Sequence, residues 1–304
     1  MLQDIVADLY TTFFGPFIVL APPYLILAAA VAWLVYRLRR IGGGFWRWLV
    51  PKDMYLHPSH LIDLQLFIIA RCLSGIGVVG AVTVTTLVAA LVAELLPGSL
   101  LAADTLGPVL LAIVLWVPSD FTIYLMHRFF HRSSVIWPLH AVHHSAEVLT
   151  PLTTYRQHPA GLLLSTFCQS VVIGAVQGLL LGTLGPDTPV AEIAGLNACI
   201  VVANLALSAL HHSHVWLSYG PVLEHVFISP AQHQIHHSTN PAHFDRNFGN
   251  FLAVWDWMFG TLYVIRGPEE ITFGLTGEME KPLMTQRLSD VLWYPVRRML
   301  MRSG

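Results

Sequence analysis

Apolar residues run along this chain in long unbroken blocks, and charge is confined to the stretches between them. From Leu9 to Tyr36 there is no charged residue, and roughly 20 helical residues suffice to cross a hydrocarbon core. Pro16, Pro22 and Pro23 are expected to kink this segment, and Arg37, Arg39 and Arg40 close it. The residues before it carry Asp4 and Asp8 but no Lys or Arg, unlike a secretory signal. Further blocks run from Cys72 to Leu96, from Thr105 to Met126, from Pro159 to Leu184 and, shorter, from Ile193 to Leu210. The pattern predicts about five spans. Asn247 to Ile265 is apolar too, but Asp256 between Trp255 and Trp257 places it at the interface. The tail from Gln286 to Arg302 mixes Leu, Val, Trp and Met with four Arg, as a membrane-surface helix does. Gly42-Gly43-Gly44 followed by Phe45-Trp46-Arg47-Trp48 suits a headgroup-level linker.

Composition agrees: 55% hydrophobic, 11% charged and a mean hydropathy of +0.61 lie outside the range of a soluble domain. The net charge of -2 and the absence of a basic, aromatic-interleaved run argue against nucleic acid. Cys72, Cys168 and Cys199 sit in apolar blocks without metal or redox spacing and read as buried thiols. Every Arg and Lys falls in residues 37–71, 128–156 or 246–302. The positive-inside rule then puts the N-terminus outside, the C-terminus inside and every histidine cluster on the cytoplasmic side. Lys52 and Lys281 are the only lysines among the 16 basic residues, a bias of GC-rich genomes that points to a bacterial inner membrane.

Chemistry is concentrated where the third block ends. His127-Arg-Phe-Phe-His131 and His140-Ala-Val-His143-His144 put five imidazoles within eighteen residues, and His233-Gln-Ile-His236-His237 repeats the second motif. Offsets of seven and four place Asp120, His127 and His131 on one helical face, and offsets of three and four do the same within each triplet. Each triplet can aim neutral imidazoles at one point, and imidazole suits iron, copper, nickel or zinc. More ligands than one ion accepts imply two ions. Asp120, the only charge in its block, must be paired at that depth. His57, His60, His225 and His243 read as surface or interfacial.

These motifs resemble the fatty acid hydroxylase and sterol desaturase superfamily of membrane di-metal oxidases. The resemblance rests on Asp120 seven residues before His127-Arg128-Phe-Phe-His131, then on His140 to Ser145, Arg156-Gln-His158-Pro159 and His212-Ser213. It continues through Ser229 to Ser238, Asn247-Phe-Gly249 and Trp255 to Thr261. It implies metal ligation by His127, His131, His140, His143, His144, His233, His236 and His237, with His212 a ninth. His211, His212 and His214 are crowded where relatives space two histidines, so His214 and His211 stand as alternative ligands. His158 is expected as an active-site hydrogen bonder. Asp120 is expected to orient His127 through its other ring nitrogen, the alternative being a packing carboxylate bonded to Tyr124 or Ser119.

The expected molecule is an all-α integral membrane bundle with a cytoplasmic helical cap carrying the di-metal site. Residues 1–104 supply N-terminal spans and a linker, 105–265 the catalytic region, and 266–304 an interfacial tail. The resemblance implies a di-iron oxidoreductase that uses dioxygen and electrons from a separate carrier protein to hydroxylate a membrane lipid. Desaturation and alkylglycerol ether cleavage are the neighbouring activities. A histidine-rich metal transporter and a non-catalytic, zinc-filled relative are the readings of other classes; the oligomeric state is left open.

Overall fold

The computed structural model describes residues 2–16, 18–96, 107–184 and 208–302, and every regular element among them is a helix. Among the described residues, three helices are long and apolar enough to cross a membrane. They are α3 (Pro58–Glu94), α4 (Pro108–Arg132) and α6 (Pro159–Leu184). Before them lie α1 (Leu2–Phe14) and α2 (Pro22–Leu38). The cap is built from α5 (Trp137–His144), α7 (Pro230–His236), α8 (Val254–Met258), α9 (Leu288–Arg302) and connecting coil. The protein is an integral membrane protein.

The first apolar block is not one helix: α1 stops at Phe14 and α2, of 17 residues, starts at Pro22. Three prolines without an N–H cannot carry a continuous helix through this stretch. The expected fifth span, residues 193–210, lies outside the described residues except for its last three positions. Five spans are therefore expected and three are seen. The block read from Cys72 begins earlier, at Pro58, where the His57 Nδ1 accepts the Ser59 N–H at the helix start. At about 1.5 Å per residue, 37 residues reach about 55 Å against a hydrocarbon core of about 30 Å. The N-terminal third of α3 thus projects from the bilayer as a wall of the cap.

Helices α3 and α6 run parallel in close contact. A Cβ at Gly174 would lie 2.6 Å from the Thr85 carbonyl oxygen, and one at Gly178 would lie 2.6 Å from that of Ala89. Only glycine permits that approach, as in small-xxx-small membrane contacts. Helix α4 runs the other way, with Leu111 near Leu184 at one end and Phe130 over Gly161 at the other. The N-termini of α3 and α6 and the C-terminus of α4 therefore meet at one end of the bundle. There α5 is held between α3 and α9 by Ile62, Leu66, Ala141, Val142, Leu283 and Val291. The tail is helical as expected, but it buries Val291 against α5 while Trp293, Leu300 and Met301 stay exposed. The interfacial segment 247–265 forms the short α8 and coil, with Asp256 wholly buried.

Candidate metal centre

Four short pieces of structure aim imidazoles at the meeting point of the helices. The last turns of α4 carry His127 and His131, one helical turn apart and hence on one face. Ser229 and Gln232 cap α7 reciprocally, and the buried Glu224 accepts from the Ser229 hydroxyl at 2.8 Å. These fix the direction in which His233, His236 and His237 leave the backbone. The nine histidines fall into two groups, His127, His131, His140, His144 and His236 in one and His143, His212, His233 and His237 in the other.

The two triplets are near replicas with exchanged roles. The rings of His140 and His144 are 5.0 Å apart at 65°, and those of His233 and His237 are 5.0 Å apart at 60°. The rings of His143 and His144 stand 5.6 Å apart at 86°, those of His236 and His237 5.4 Å apart at 87°. Each triplet gives its first and last imidazoles to one group and its middle one to the other. The pair from α4 completes a set of five, and His212 alone completes a set of four.

The donor set fits transition metals. In the four-histidine group the His212 Nε2 lies 3.0 Å from that of His233, 3.2 Å from that of His237 and 3.3 Å from that of His143. A neutral imidazole carries one N–H, so one nitrogen cannot hydrogen-bond three others. Four nitrogens about 2.0–2.1 Å from a tetrahedral ion stand about 3.3–3.4 Å apart, close to what is seen. In the other group the Nε2 atoms of His127, His140 and His236 are buried without a partner. Opposite them, the His127 Nδ1 donates to the Phe248 carbonyl at 2.8 Å and the His236 Nδ1 to the Arg246 carbonyl at 2.7 Å. This leaves each Nε2 lone pair free for a metal. Burial lowers the His143 pKa to about 3, and it drives His140, His144, His212, His233, His236 and His237 well below the usual imidazole value. All are neutral at pH 7 and able to ligate.

Several expected residues stand elsewhere. Asp120 does not meet His127; its Oδ2 accepts from the Trp255 indole at 2.9 Å and from the Leu252 N–H at 3.3 Å. It pins the cap to α4, and the Phe248 carbonyl holds the place foreseen for it at His127. His158 is not turned to the metal groups: its Nε2 donates to the Leu292 carbonyl at 2.9 Å and its Nδ1 accepts the Ala160 N–H at 3.2 Å. It starts α6 and ties down α9. His214 packs edge-on against Trp48 and lies outside both groups. His211 stacks on His233 with ring centroids 5.1 Å apart and also stands outside them. His60 and His243 are buried, not superficial, bonded to Thr150 and paired with Glu269 respectively.

Arg156, marked in the sequence by its motif but not by its role, is the largest wholly buried side chain among the described residues. It pairs with Asp63 at 2.8 Å and donates to the carbonyls of Val142, Ser145 and Ser59. It thereby clamps the C-terminal end of α5, which carries His143 and His144, to α3. A cavity of about 500 Å3 opens onto His131, His144 and His236 of the five-histidine group, with Trp137, Met279, Arg132 and Asp245 among its walls.

Residues 111–261 match the family model for fatty acid hydroxylases. An ornithine lipid hydroxylase, OlsE, of Rhizobium tropici is 31% identical over 170 residues, covering 56% of this chain and 47% of the relative. An alkylglycerol monooxygenase of Danio rerio is 31% identical over 180 residues, 58% of this chain and 35% of the relative. A Delta(7)-sterol 5(6)-desaturase of Eremothecium gossypii is 24% identical over 273 residues, 88% of this chain and 69% of the relative. The chain spans less than half the length of the first two relatives. No solved structure matches. The histidine motifs and their assembly at the end of an apolar bundle agree with the sequence match: residues 111–261 of this chain belong to the fatty acid hydroxylase family.

Proposed function

We propose that this protein oxidises a C–H bond of a membrane lipid with dioxygen at a two-metal centre, with hydroxylation as the primary outcome. The observation that carries this reading is the convergence of nine imidazoles into a set of five and a set of four where three membrane-length helices end. His127, His131, His140, His144 and His236 would hold one ion, and His143, His212, His233 and His237 the other. Bound iron supplies the one-electron and dioxygen chemistry that amino acids lack. The chain's own part is to fix the ligands, bring a lipid to them and exclude water. The Phe248 and Arg246 carbonyls orient two rings, Arg156 locks the helix that carries His143 and His144, and the cavity beside Trp137 admits substrate to the five-histidine face. Electrons come from a separate carrier protein, and the centre faces the cytoplasm of a bacterial cell.

The relatives named as ornithine lipid hydroxylase and alkylglycerol monooxygenase support hydroxylation. Desaturation is a second reading, supported by the sterol desaturase that aligns over 88% of the chain. Placement of the histidines at helix ends, and not midway along the spans, favours an enzyme over a metal transporter. Comparison of lipid extracts from cells with and without the protein, grown under labelled dioxygen, tests the reading. The expected product is a lipid heavier by one labelled oxygen. A species lighter by two hydrogens would favour desaturation, and oxygen taken from water would overturn the oxidase assignment.

A further inference from the structure

Residues 246–261 contribute no metal ligand, yet they touch the five-histidine group at two ring nitrogens. Asn247 sits between the two carbonyls that hold those rings and adopts a left-handed backbone, with φ of +55°. A peptide unit is planar, so its N–H and its C=O point in opposite directions and turn together. The Phe248 carbonyl, which accepts from His127, shares its plane with the Gly249 N–H, and that N–H donates to the Asp256 Oδ2 at 2.7 Å. The Arg246 carbonyl, which accepts from His236, shares its plane with the Asn247 N–H, which donates to the Thr261 carbonyl at 2.9 Å. Thr261 is itself held by Asp256, whose Oδ1 accepts from its hydroxyl at 2.6 Å and from the Phe248 N–H at 2.8 Å. Both carbonyls are thus braced from behind by one fully buried carboxylate.

We propose that Asp256 is the positioning residue of the five-histidine group: through the peptides on either side of Asn247 it fixes the tautomer and direction of His127 and His236. The proposal rests on the two-metal reading above. The Nε2 atoms of His127 and His236 are buried and unpartnered, as they must be if each Nδ1 keeps its proton for a carbonyl. The Phe248 ring packs on His127, His131 and His236, all of the same group. The hydrogen bonds from this segment to histidine rings go to His127 and His236 and to none of the four-histidine set. The influence of Asp256 is therefore selective for one ion.

The test is metal stoichiometry, read by elemental analysis of purified protein loaded with zinc and challenged with a chelator. Wild-type protein is expected to keep two ions per chain, and Asp256→Asn to keep one, because an amide presents N–H groups to donors and releases the segment. Asp120→Asn is the matched control. That buried carboxylate also binds the segment, at Leu252 and Trp255, but it braces neither carbonyl and the variant should keep two. Asp256→Asn with both ions retained, or with loss divided equally between the groups, would overturn the proposal. Should Asp256→Asn not fold, Thr261→Val removes one brace at nearly constant volume. It should lower the chelator concentration that strips the first ion by about 10-fold, within the range typical of outer-shell changes; an unchanged concentration would also overturn the proposal. Wild-type protein that never holds two ions would count against the two-metal reading and not against the role of Asp256.

Discussion

His212 and His214 are two residues apart, the first expected as a ninth ligand and the second as an alternative, and only His212 points its Nε2 into a group. The helix at 208–210 ends at His211, and the irregular backbone that follows turns alternate side chains to different neighbours. His212→Ala should therefore cost about one metal ion per chain and the lipid product, whereas His214→Ala, which loses only an edge contact with Trp48, should keep both. Metal analysis of the two variants decides it. Legibility at this scale followed distance along the chain. Eight of the nine grouped histidines are legible because each shares a helical turn with another. Arg156 was marked by its motif, but its partner Asp63 lies 93 residues away and no local pattern announces it. The same holds for Asp120, whose partner Trp255 meets it only because the cap folds back on α4.

At the scale of elements, hydropathy locates α6 to the residue and finds α4, which runs on past the end of its apolar block at Met126 to Arg132, because a span is a property of one continuous stretch. It missed the first turns of α3, where His60 and Asp63 interrupt the apolar pattern but are satisfied by Thr150 and Arg156. It also missed the seam between α3 and α6, since an index of polarity scores glycine as unremarkable while the seam depends on its missing Cβ. Gly178→Val would place its Cβ 2.6 Å from the Ala89 carbonyl oxygen and from the Val92 Cβ. Overpacking of this kind costs about 1–3 kcal/mol, so the detergent-solubilised variant should melt several degrees below the parent. Gly80→Ala, on the same α3 but with nothing within 4 Å, should not. Equal melting of the two variants would dissolve the seam as a structural explanation.

Across the whole molecule, the three membrane-length helices fix which ends lie together, and the distribution of Arg and Lys proposes which side of the membrane those ends face. Reporter fusions after residues 150 and 300 should report the cytoplasm, and fusions after residues 100 and 187 the opposite side. An outside signal after residue 150 would move the metal centre to the other face of the membrane. The sequence could supply this vectorial reading because charge is counted along the chain. It could not supply the grouping of the nine imidazoles, which exists only once α4, α5, α7 and His212 have come together.

The exchanged roles of the two triplets carry a mechanical consequence. His143 and His144 are consecutive residues serving different groups, and so are His236 and His237. The gap between the groups is therefore spanned twice by a single peptide step, with no loop able to stretch. The two short helices act as the jaws of a calliper whose opening is set by covalent geometry: substrate can bend the cap or tilt a span, but it cannot draw the two sets of imidazoles apart without unwinding the turn that holds them.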